Sequence, residues 1–128
     1  MTDKGYDKDV YEEGIVVFRV WSTTRASIDE WYQDVAGVFA QALAQGKPVR
    51  VMYDLRRIDL VTPYSVQRAE ALEQLPIPDD WRVATLVGNA FIANMVSYVK
   101  SVSSLPAMRD RSHVFSDEAE ALAWLRSP

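Results

Sequence analysis

Four β-rich runs, IVVFRVW (15–21), VRVMYDL (49–55), WRVATLVG (81–88) and SHVF (112–115), are each followed by a segment with helical periodicity. Strands that alternate with helices cannot pair as simple hairpins. They predict a mostly parallel sheet joined by right-handed crossovers. In the first run, Val16, Phe18 and Val20 share one side, and Ile15, Val17, Arg19 and Trp21 the other. Glu13-Gly14 before it reads as a turn, so DVYEE is expected to pair with it as an antiparallel edge, after a ragged lead-in of eight residues. The order β(β)-α-β-α-β-α-β-α predicts an α/β fold with a mixed, mostly parallel sheet of four to five strands and about four helices.

Local punctuation places the helices. Ser27 and Glu30 have the spacing of a capping box. Behind them Ile28, Trp31, Tyr32, Val35, Phe39, Ala42 and Leu43 recur on one helical face, until Gly46 and Pro48 end the run. Thr62 and Pro63 read as N-cap and first position of a helix reaching about Leu75, because proline's missing N–H costs nothing there. Asn89 is placed to cap residues 90–105, and Ser116 to cap a last helix whose Asp117 and Glu118 suit the positive end of the helix dipole.

A length of 128 residues predicts one domain, 1–128, with a single core. The apolar share of 48% and charged share of 25% suit a globular protein. Eighteen acidic against fourteen basic residues give a net charge of −4, which argues against nucleic acid as principal partner. With no cysteine and the single His113, thiol chemistry and paired-histidine sites are excluded. The five glycines are isolated, so no phosphate loop is expected, and no nucleophile–base pair suggests itself. The polar start is not a signal peptide, and no apolar run approaches the ~20 residues of a membrane span. A cytoplasmic protein without enzymatic activity, metal or cofactor is expected.

The stretch YDLRRIDLVTPYS (53–65) carries the candidate site. Ligands of open α/β sheets gather beyond the carboxyl ends of strands. Asp54, Arg56, Thr62, Ser65 and Asn89 are expected near that edge beside two helix starts, which favour anions. A pocket for a phosphate, a carboxylate or a partner's acidic side chain would use them; the plainer alternative makes Thr62 and Asn89 caps and pairs Asp54 with Arg56 or Arg57. Asp54 as a receiver-type phosphoacceptor is rejected, since no acidic pair follows the earlier strand. A second candidate surface is the segment 90–105, where Phe91, Ile92, Met95, Val96, Tyr98, Val99, Val102 and Leu105 cover most of the helix. A core helix, a protein partner, a second copy or an apolar ligand would each account for it. Arg109 and Arg111 form a small basic patch that reads as a solvated loop, and His113 as a packed side chain.

The N-terminal strand pair, the helix after STTRAS, VRVMYDL ending in Asp-Leu, RVATLVG and the closing HVFSDEAEALAWL together resemble the STAS-like fold of anti-sigma factor antagonists and SpoIIAA-like proteins. The resemblance runs from about residue 9 to the end, and it is one of pattern. Phosphorylated members carry Asp-Ser-Ser-Gly at the helix start, and laid over this chain those positions fall on Thr62, Pro63, Tyr64 and Ser65. The usual acceptor becomes Pro63, which has no hydroxyl, leaving Thr62 or Ser65 as substitutes.

The resemblance implies a bacterial regulatory module that docks to a protein partner or to itself, with Tyr64, Phe91 and Tyr98 as aromatic anchors. Its alternative is a carrier or sensor of a small apolar, lipid-like ligand, because SpoIIAA-like domains look similar in outline to the CRAL-TRIO fold. An anion or nucleotide sensor at the Thr62 and Asn89 helix starts ranks third.

Overall fold

The computed structural model describes residues 5–58, 60–90, 92–94 and 111–128. Five strands, β1 (Tyr6–Val10), β2 (Val16–Val20), β3 (Val49–Asp54), β4 (Trp81–Leu86) and β5 (Ser112–Phe115), form one sheet in the order β1-β2-β3-β4-β5. The first pair is antiparallel, with Tyr6 opposite Val20, and every later pair is parallel. Helices α1 (Arg25–Gln45), α2 (Pro63–Leu72) and α3 (Glu118–Arg126) flank it, and residues 90 and 92–94 are also helical. This is the mixed, mostly parallel α/β architecture that the alternating runs predict.

The period of two in each strand splits the core into two layers. Val16, Phe18, Val20, Val49, Val51 and Val83 pack with Trp31, Val35 and Phe39 of α1, Leu72 of α2 and Ile92. On the opposite face Ile15, Val17, Met52, Ala84 and Leu86 pack under Ala121 and Leu125 of α3. His113 lies against the Trp124 ring, 4.6 Å between centroids, as a packed side chain.

Several boundaries move. The edge strand is residues 6–10 rather than DVYEE, so the expected lead-in is partly structural. Its Asp7, Lys8 and Asp9 are exposed, and such charges protect an outer strand from pairing with other chains. Tyr6 anchors it instead, donating from its hydroxyl to Asp34 Oδ2 of α1 at 2.9 Å. Gly5, at φ +80, lets its carbonyl accept from the amides of Trp21 and Ser22 at 3.0 and 3.2 Å.

The N-cap of α1 is Thr24, whose hydroxyl accepts from the Ser27 amide, so the expected Ser27–Glu30 box lies inside the helix. STTRAS holds four hydroxyl residues, Ser22, Thr23, Thr24 and Ser27, and Thr24, next to the first helical residue Arg25, takes the role. Leu43, expected on the apolar face, is 47% exposed. Helix α2 stops at Leu72 rather than Leu75. Asp117, not Ser116, caps α3. The apolar segment's Phe91, Tyr98 and most of its length, like Arg109, lie outside the described residues.

Candidate functional site at the carboxyl edge of the sheet

Asp54 ends β3 with its side chain on the α3 face, where it is 5% exposed. A buried carboxylate needs donors for both oxygens, and this one has them. Oδ1 accepts from the Arg56 amide and Nε at 3.1 and 3.0 Å, and Oδ2 from Arg56 Nη2 and Arg19 Nη1 at 3.0 and 2.8 Å. Glu118, at the first position of α3, accepts from the same two arginines at 2.6 and 3.1 Å. Two cations and two carboxylates thus close the sheet's edge against the helix above it. Burial alone would raise the Asp54 carboxyl, but the Arg56 side chain, the Arg56 amide and Arg19 together hold it below the ordinary aspartate value of 3.8. With both oxygens filled, Asp54 is an anchor rather than a free base or acceptor.

The opposite face holds Thr62, Tyr64 and Ser65. Thr62 and Ser65 form a reciprocal capping box: Thr62 Oγ1 accepts from the Ser65 amide at 3.1 Å, and Ser65 Oγ accepts from the Thr62 amide at 3.0 Å. Both hydroxyls named as substitute phosphoacceptors are therefore engaged in starting α2. Thr62→Ala is expected to lower stability by about 1 kcal/mol, read as a shift of the urea midpoint at unchanged slope; no shift would mean that Ser65 alone starts the helix.

Tyr64 spans from α2 to α1. Its hydroxyl donates to Asp29 Oδ1 and accepts from Arg68 Nε at 3.1 Å. The Arg25 guanidinium lies 4.3 Å from its ring centroid, and Arg68 also bridges to Asp29 at 3.3 Å. Nearby in the chain, Arg57 lies 4.9 Å from the Trp21 ring centroid.

Asn89 caps the helical residues that follow it, its Oδ1 accepting from the Ile92 amide at 2.8 Å. Gly88 beside it passes so close to β3's exit that a Cβ there would lie 3.1 Å from the Arg56 carbonyl oxygen. The structure thus brings Asp54, Arg56 and the Asn89 turn together, and places Thr62, Tyr64 and Ser65 with α1 on the other side. Sequence reading missed Arg19 and Glu118, and also Trp21, Arg25 and Arg57 as aromatic–cation pairs. Only the β2 alternation, which puts Arg19 on the Asp54 face, hinted at the first. Among the described residues no group of three or more His, Asp or Glu side chains is placed to hold a metal ion, and no helix is long and apolar enough to cross a membrane.

No protein-family model matches the chain, and no curated protein does. Among solved structures it is similar to the crystal structure of an anti-sigma factor antagonist from Mycobacterium paratuberculosis. The TM-score is 0.62 at 14% identity, over 98% of each chain. At that identity the likeness speaks for architecture alone, and with the strand order above it makes the fold of this chain STAS-like.

Proposed function

We propose that this chain is a non-enzymatic regulatory module, acting in the cytoplasm by docking to a protein partner or to a second copy of itself. The observation that carries this reading is the end-to-end architectural likeness to an anti-sigma factor antagonist. Its own chemistry agrees, because the acidic and hydroxyl side chains at the carboxyl edge are spent on holding structure. Asp54 is saturated by arginines and Thr62 and Ser65 by each other. What such an edge offers is a stiff surface. The docking face centres on Tyr64 and the start of α2, while the Asp54–Arg56 network and the Asn89 cap brace it from behind.

Affinity purification followed by native mass spectrometry tests this. Wild type is expected to retain a protein-sized partner or to run as a dimer. Tyr64→Ala, checked for fold by circular dichroism, is expected to weaken that association by roughly 30-fold, as the loss of an aromatic anchor does. Unchanged association would remove this face. A small added mass that is lost on denaturation would instead favour the carrier of an apolar ligand.

A further inference from the structure

The docking reading can be taken further through the arginines. Among the described residues, Arg19, Arg50, Arg56, Arg68 and Arg126 each pair with a carboxylate. Arg82 donates to carbonyls at the C-terminal end of α3, and Arg111 to the Asp79 carbonyl. Arg25 and Arg57 differ, because the contacts they make among the described residues are with aromatic rings, Tyr64 at 4.3 Å and Trp21 at 4.9 Å. In a chain of net charge −4, two arginines held by rings alone among the described residues stand out. They also share one edge: Trp21 follows β2, Arg25 opens α1, Arg57 follows β3, and Tyr64 opens α2.

A guanidinium stacked on a ring keeps its in-plane N–H groups free and loses little further freedom when a carboxylate arrives. The helix starts add to this. Neither α1 nor α2 has an acidic residue in its first turn, whereas α3 neutralises its own start with Glu118 and Glu120. Three residues after Arg57, on the loop leading to α2, Leu60 is 57% exposed. Positive charge beside an exposed aliphatic side chain fits a partner of the opposite pattern.

We propose that the surface formed by Arg25, Arg57, Trp21, Tyr64 and Leu60 binds an acidic segment of a partner protein, two carboxylates with an apolar side chain beside them. This rests on the docking reading and names the chemistry of its partner. Arg25 and Arg57 each take a carboxylate edge-on, and Leu60 covers the neighbouring apolar residue.

The test uses a library of acetylated octapeptides with Glu or Asp at two positions and a Leu beside them, a matched library with Gln or Asn at those two positions, and NMR of the labelled protein. The best acidic members are expected to shift the Trp21 indole and the Arg25, Arg57 and Leu60 amides, and to bind about tenfold more weakly as Gln or Asn isosteres. Arg25→Gln and Arg57→Gln are each expected to weaken binding about fivefold and the pair about twentyfold, with binding falling as salt is added. Arg126→Gln, whose arginine pairs with Glu13 elsewhere, should leave it unchanged. Absence of binding by every acidic member, equal binding of the neutral library, or equal competition by inorganic phosphate would overturn the proposal. A partner or dimer lost in Tyr64→Ala but kept by the double arginine variant would sink the acidic-segment proposal alone. If Tyr64→Ala and the double variant both keep the association, the docking face itself is wrong.

Discussion

Replacing Phe18 by alanine is expected to lower the free energy of unfolding by about 3–5 kcal/mol. Phe18 is fully enclosed in the second strand of the sheet, with the Tyr6 and Tyr53 rings at 6.1 and 6.3 Å. Those neighbours stand on adjacent strands, so the backbone cannot close the gap without breaking ladder bonds. Domains of this kind hold together by about 5–15 kcal/mol, so the variant should be partly unfolded at 37 °C. Urea titration followed by tryptophan fluorescence reads this directly. A shift below about 1 kcal/mol would mean that the neighbouring rings collapse into the space, and that α1 packs less rigidly than the geometry implies.

Asp54→Ala is expected to cost about 3 kcal/mol by a different route, since it strands two arginines that the carboxylate now neutralises. The figure is at the low end for breaking a buried pair because Arg19 and Arg56 keep Glu118 and reach solvent, with side chains 27% and 42% exposed. The same network sets an acid limit. The folded carboxyl lies below its ordinary value of 3.8, so its contribution is complete above the unfolded value and is lost as pH falls through the lower, folded one. Wild type should therefore lose stability between about pH 5 and the folded value. Asp54→Asn should be less stable at neutral pH and show a flatter profile across that window. Parallel profiles for the two proteins would place the acid sensitivity elsewhere.

How far the sequence carried differs between the fold and the site. The buried strands were legible because each is a run of branched or aromatic residues, and the four of them form three parallel pairs. Strand β1 was not, since YDKDV has no apolar alternation and becomes a strand only through its pairing with β2. Caps were legible where one hydroxyl or amide stood alone, as at Thr62 and Asn89, and ambiguous in STTRAS. At the site, the Asp54–Arg56 pair is local, two residues apart, and could be anticipated. Arg19 and Glu118 reach Asp54 and Arg56 across 35 and 62 residues, and nothing short of the folded sheet brings them together. Tyr64, expected as an aromatic anchor, is half-buried and tied to Asp29 and Arg68, which makes it a positioned side chain rather than a loose one.

Because the strands lie in space in the order in which they occur in the chain, the sheet can grow at one margin while the protein is being made. Each new strand emerges from the ribosome to find its neighbour already in place. The two faces do not mature together, however. Helix α1 covers one side once its residues have emerged, whereas Ile15, Val17 and Met52 wait for Ala121 and Leu125 of α3. At ordinary synthesis rates that interval is on the order of several seconds. A nascent chain halted before α3 would lack the helix that packs on Ile15, Val17 and Met52 over a formed sheet, the kind of intermediate that holding chaperones engage.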